Sequence, residues 1–161
     1  MTGTRTTTRR TTTVDPRLAL RARELLGRAE AMAAHADDSP EPTEQLRALY
    51  LAALRAAGAA LVVGEKSTAR PRRGPVSAWA RLPRALPELT TWATYFAGLS
   101  RLRADIELGV VRDVDPRSVQ ATRTRLADFL EDVRAQVVAF EHGTRVTAGH
   151  RSATLTELSA G

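Results

Sequence analysis

One stretch constrains this chain more than any other: Thr43 to Val63, TEQLRALYLAALRAAGAALVV. Arg47 and Arg55 are its only charged residues between Gln45 and Gly64, so as a helix it has too little polar surface to face water. Leu46, Leu49, Tyr50, Ala53, Ala57 and Leu61 recur at three- and four-residue spacing, and alanines fill much of the opposite side. Neighbours can therefore approach on more than one face, which is the condition of a central bundle helix. A start between Ser39 and Thr43 and a stop at Gly64 are expected.

The rest of the chain supplies the cover. Asp15-Pro16 and Asp115-Pro116 each place an N-cap acid before a proline at the first helical position, where a missing N–H costs nothing. The first opens a helix striped by Leu18, Ala22, Leu25, Ala29, Met32 and Ala36, which ends at Asp37-Asp38-Ser39-Pro40. The second opens the last helix, to about Glu141, with Val119, Thr122, Leu126, Phe129, Val133, Val137 and Phe140 on one face and Gly143 as its stop. Between them, Ser77 to Leu82 makes a short helical turn before Pro83. Pro87 then starts a helix carrying Leu89, Trp92, Phe96, Leu99 and Ile106, with Gly109 as its C-cap. The expected fold is all-α: an up-and-down antiparallel bundle of four long helices plus one short one.

Composition agrees with that class. Hydrophobic residues make up 43% of the 161 but aromatics only 4%, so the apolar content is mostly alanine, leucine and valine, which favour helix. Residues 1–14 are rich in threonine and arginine with nothing large to bury, and are expected to be a disordered tail. Residues 15–142 form the bundle, and 143–161 a flexible tail. The absence of cysteine removes disulfides, thiolate nucleophiles and cysteine-ligated metals together. No signal-type segment and no run of about 18 apolar residues stands out, which points to a cytoplasmic protein with no membrane contact.

The net charge of +6 is carried by arginine, because Lys66 is the only lysine. It is polarised. From Arg70 to Arg103, seven arginines (70, 72, 73, 81, 84, 101 and 103) face one acid, Glu88, whereas from Asp105 to His142 five arginines face eight acids. The proline-rich loop Glu65 to Val76 thus brings Arg70, Arg72 and Arg73, joined by Arg81 and Arg84, into a candidate patch for phosphate or another acidic ligand. The plain alternative is a solvated loop, since the cluster lacks the interleaved aromatics that read bases. Trp79, Trp92, Tyr95 and Phe96 are the nearest aromatics; core packing suits them, with Trp79 or Tyr95 able to show a face to a partner. Asp128, Glu131 and Asp132 share one side of the last helix at ligand-like spacing, but no second donor cluster completes a metal shell, and a solvated face is the simpler account. No cofactor motif and no catalytic constellation emerges.

The alanine-rich segment Tyr50-Leu51-Ala52-Ala53-Leu54-Arg55-Ala56-Ala57 and the basic loop Arg70-Pro71-Arg72-Arg73 are followed by Ser77-Ala78-Trp79-Ala80-Arg81-Leu82, Pro87-Glu88-Leu89 and Trp92-Ala93-Thr94-Tyr95-Phe96. Across Asp15 to His142 this order resembles a HEPN domain, of the small single-domain kind found in actinobacteria. The resemblance implies a helical bundle, often a homodimer, belonging to a group that holds both toxin or defence ribonucleases and non-catalytic binding partners. The ribonucleases carry an arginine and a histidine a few residues apart in the carboxy-terminal half of the bundle. Here no histidine lies between Ala36 and Glu141. Arg28 with His35 and Arg145 with His150 have a similar spacing, but fall on the opening helix and in the terminal tail. A non-catalytic binding or assembly module with a protein or nucleic-acid partner is the expectation, against an RNA-cleaving enzyme with displaced or degenerate catalytic residues.

Overall fold

The structure, a computed structural model, describes residues 14–66 and 77–143. Five α-helices follow in order: α1 (Pro16–Ala34), α2 (Pro42–Glu65), α3 (Ala78–Ala85), α4 (Thr90–Glu107) and α5 (Pro116–Glu141). Single 3-10 turns at Ala36–Asp38 and Pro87–Leu89 precede α2 and α4. No strand occurs among the described residues, so the protein is all-helical. The two expected tails, and Arg70, Arg72 and Arg73 of the basic loop, lie outside the described residues.

Local chemistry accounts for most helix ends. The Asp15 carboxylate accepts from the Arg17 N–H at 2.9 Å and the Asp115 carboxylate from the Arg117 N–H at 2.8 Å, each with proline at the first helical position. Gly109 takes a positive φ of 72° just beyond α4, as its place after the apolar stripe predicts.

Two expectations about helix ends are corrected. Gly64 does not close α2. The helix continues through Glu65, and Lys66 takes the left-handed conformation at φ 51°. Gly64 serves packing instead: a Cβ built there would stand 2.8 Å from the Ala85 Cβ and 2.9 Å from the Leu86 Cγ, so only a bare Cα admits the end of α3. Pro83 lies inside α3 rather than ending it. Proline cannot donate back to the Trp79 carbonyl, and the helix stops two residues later with the Leu86 N–H bonded to Leu82 O at 2.8 Å.

Helix α2 is the hub. It packs against α1, α3, α4 and α5, and its buried residues include Leu46, Leu49, Tyr50, six alanines from Ala52 to Ala60, and Leu61 to Val63. By length and composition α2 is able to cross a membrane, which departs from the expectation that no such run exists. Its alanines and two arginines hide the run from inspection, and 67% of the apolar window is buried against the other helices, as a core helix requires.

The outer helices are joined in two ways. Between α1 and α5 runs a ladder of ion pairs. Arg23 Nε donates to Glu141 Oε1 at 2.9 Å, and Arg134 Nε to Glu30 Oε1 at 3.1 Å. Arg123 Nη2 donates to Asp37, in the turn after α1, at 2.5 Å. The partners advance along α1 as they recede along α5, so these two helices run in opposite directions. Between α4 and α5 the contact is aromatic: Phe129 meets Phe96 and Trp92 at ring-centroid distances of 5.1 and 5.8 Å.

Candidate functional site

Of the five arginines in the predicted patch, the structure places two. Arg81 rises from the first turn of α3 and grips Glu65, at the last turn of α2, with both Nε and Nη2; the Nε bond is 3.0 Å. This clasp joins the two sides of segment 67–76. It commits the guanidinium edge that would otherwise hold a phosphate. Arg84, one turn further on, is exposed and has no side-chain partner among the described residues. Glu65 lies five residues before the first arginine of the basic stretch, so nothing in the local sequence pairs it with Arg81.

The neighbouring aromatics are chiefly structural. Trp79 is buried, its Nε1 donates to the Tyr50 hydroxyl at 3.2 Å, and its ring stacks on Phe96 at 5.1 Å. Tyr95 is half-buried. Its hydroxyl shares a 3.1 Å hydrogen bond with that of Thr122, and the Arg125 guanidinium lies 4.7 Å over its ring. Among the acids singled out on α5, Asp132 accepts from Trp92 Nε1 at 2.8 Å, which ties it to the α4 contact. No group of three His, Cys, Asp or Glu side chains able to hold a metal ion occurs among the described residues.

The two described histidines sit at helix ends. His35 caps the C-terminus of α1, where its Nδ1 donates to the Ala31 carbonyl at 2.7 Å, and His142 caps α5. His142 adjoins Glu141, whose carboxyl is held below the usual carboxylate range by the hydrogen bond from Arg23, against the opposing effect of burial, with the charges of Arg23 and His142 adding lesser downward effects. His150 and Arg145 lie outside the described residues.

One cleft of mixed chemistry is marked by no sequence motif. The first half of α2 and the second half of α4 enclose a cleft of about 440 Å³. Leu46, Leu99 and Ile106 supply its apolar wall, and Tyr50 closes it toward the core. Each helix adds one arginine and one glutamate. Arg47 lies 3.9 Å from Glu44 on α2, and Arg103 Nε lies 3.3 Å from Glu107 on α4. The Arg103 guanidinium crosses to the other helix, 5.1 Å over the Tyr50 ring. In the sequence these are two ordinary same-helix pairs, and only the apposition of α2 and α4 brings them to one opening.

No curated protein and no solved structure matches the chain. A family model, HEPN_SAV_6107-like HEPN, matches residues 36–134, which covers α2, α3, α4 and most of α5 and leaves α1 outside. The match takes in more than half of the chain, which therefore belongs to the HEPN_SAV_6107-like HEPN family.

Proposed function

We propose that this protein is a non-catalytic HEPN binding or assembly module, acting in the cytoplasm as a homodimer built on an up-and-down antiparallel bundle. Its contact for an acidic ligand or nucleic acid is the basic segment of Arg70, Arg72 and Arg73, extended by Arg84. The observation that carries this reading is the position of the histidines: His35 and His142 stand at the ends of α1 and α5, and the Nδ1 of His35 is bound to a backbone carbonyl. An imidazole needs a substrate proton within hydrogen-bond reach to act as acid or base, and the arginine-lined cleft between α2 and α4 holds neither histidine. Arg81 has a second role, clasping Glu65 at 3.0 Å and so tying the end of α2 to the start of α3.

The test has two arms. Full-length protein incubated with RNA leaves it intact, and His35→Ala and His150→Ala change nothing; metal-independent cleavage abolished in His150→Ala would instead establish the ribonuclease reading. Binding to RNA and DNA is then measured at two salt concentrations. A phosphate contact is insensitive to base sequence, and a variant with Arg70, Arg72 and Arg73 changed to serine lowers the slope of log affinity against log salt by about one for each phosphate that an arginine no longer neutralises. Equal binding by the two proteins would remove the loop from the function.

A further inference from the structure

Among the described residues, the arginines of the cleft between α2 and α4 differ from those that join other elements through carboxylates. Arg23, Arg81, Arg123 and Arg134 each cross a helix boundary to reach a carboxylate. Arg47 and Arg103 do not. Their acids are neighbours on their own helices, Glu44 at 3.9 Å and Glu107 at 3.3 Å, and both acids are more than half exposed. Same-helix pairs of this kind are held weakly and yield to an anion that engages both cations together.

Three further features favour an anion. The Arg103 side chain is the least exposed of the four charged groups, at 33%, and its guanidinium is held over the Tyr50 ring at 5.1 Å. Tyr50 is itself fixed by the hydrogen bond its hydroxyl accepts from the buried Trp79, so the cation rests on a rigid support. Thr43, in the first turn of α2, lines the same opening; that helix start has no side-chain cap, and the acid of its first turn, Glu44, is the one paired with Arg47 at 3.9 Å. The remaining wall, Leu46, Leu99 and Ile106, is apolar and suits a ligand with a hydrocarbon or aryl body. A volume of about 440 Å³ falls within the ~300–1,000 Å³ of small-molecule sites.

We propose that this cleft binds a small amphipathic organic anion, its charged end between Arg47 and Arg103 and its apolar body against Leu46, Leu99 and Ile106. The site is separate from Glu65, where α2 ends. Arg47 precedes Glu65 by roughly 27 Å along α2 at ~1.5 Å per residue, so failure at either site says nothing of the other.

The experiment uses the full-length chain with 8-anilinonaphthalene-1-sulfonate as a fluorescent probe, and competes it with 4-phenylbutyrate or with 4-phenylbutylammonium, which share an apolar body and differ in charge. The acid displaces the probe and the ammonium does not. Arg47→Gln and Arg103→Gln each weaken probe binding about tenfold, while Arg17→Gln, which removes the same charge from an exposed position at the start of α1, leaves it within about twofold. Equal displacement by the ammonium, an equal loss in Arg17→Gln, or no probe binding to the wild-type protein overturns the proposal. The competition arm is read on unaltered protein and does not depend on any variant folding.

Discussion

Helix α2 meets α1 through small side chains, whereas α4 meets α5 through rings. Ala22 and Ala29 on α1 and the alanines of α2 let the first pair of backbones run close along their length. The α4 and α5 backbones stay further apart, and Trp92, Phe96 and Phe129 fill the space. The first interface gains dispersion from proximity, the second from the large area each ring removes from water. Their vulnerabilities are therefore opposite: an aromatic interface suffers when atoms are taken away, a small-residue seam when atoms are added.

The largest effect should come from emptying the ring interface. Phe129 is fully buried against Trp79, Trp92 and Phe96, and Phe129→Ala is expected to lower unfolding free energy by about 3–5 kcal/mol in a urea titration. A loss below ~1 kcal/mol would mean that α4 and α5 are held by something other than their rings. Overfilling ranks next. In Gly64→Ala the new methyl meets the Ala85 Cβ at 2.8 Å and the Ala85 backbone carbon at 3.0 Å, so α3 has to shift, and a loss of about 1–3 kcal/mol is expected despite the better helix propensity of alanine.

Gly58 sharpens the contrast from the same helix. A methyl there meets only the Leu25 Cδ1, at 3.8 Å, an ordinary contact, so Gly58→Ala should raise stability by about 0.5–1 kcal/mol. Destabilisation by this change would show the α1 seam to be as tight as the Gly64 crossing. The smallest effect belongs to the ion-pair ladder. The carboxyl of Glu141 is depressed chiefly by the hydrogen bond from Arg23, so its contribution is present above the ordinary carboxylate range and is lost as pH falls through the lower value it has in the folded protein. Glu141→Gln should lower stability near neutral pH only slightly, by under ~1 kcal/mol because the pair is exposed, and in a pH series of thermal melts the small gap to wild type should close as the pH falls through the acid range.

Much of this architecture is legible in the sequence because its signals are local. Asp15-Pro16 and Asp115-Pro116 act through bonds two residues away, and the stripes of α2, α4 and α5 need no knowledge of what covers them. Signals that depend on a distant partner are not. Gly64 looks like a stop signal and is a crossing point, since nothing in its neighbourhood announces Ala85. Pro83 looks like a helix end, but α3 is short enough to carry the missing bond. The Glu65 grip on Arg81 and the cleft behind Arg47 and Arg103 come from pairings between helices, α2 with α3 and α2 with α4, that periodicity does not specify.

The burial of both tryptophans has an optical consequence. Trp79 and Trp92 are the only two indoles in the chain, they lie in one aromatic cluster, and each donates its N–H to a side chain on another helix, Tyr50 on α2 and Asp132 on α5. Their emission therefore reports the docking of α3 and α4 onto the hub and onto α5. It carries no direct signal from α1, which contains no aromatic residue. Loosening of α1 will pass unseen in tryptophan fluorescence while it shows in far-ultraviolet circular dichroism, so any gap between the two melting curves measures how independently the first helix leaves the family core.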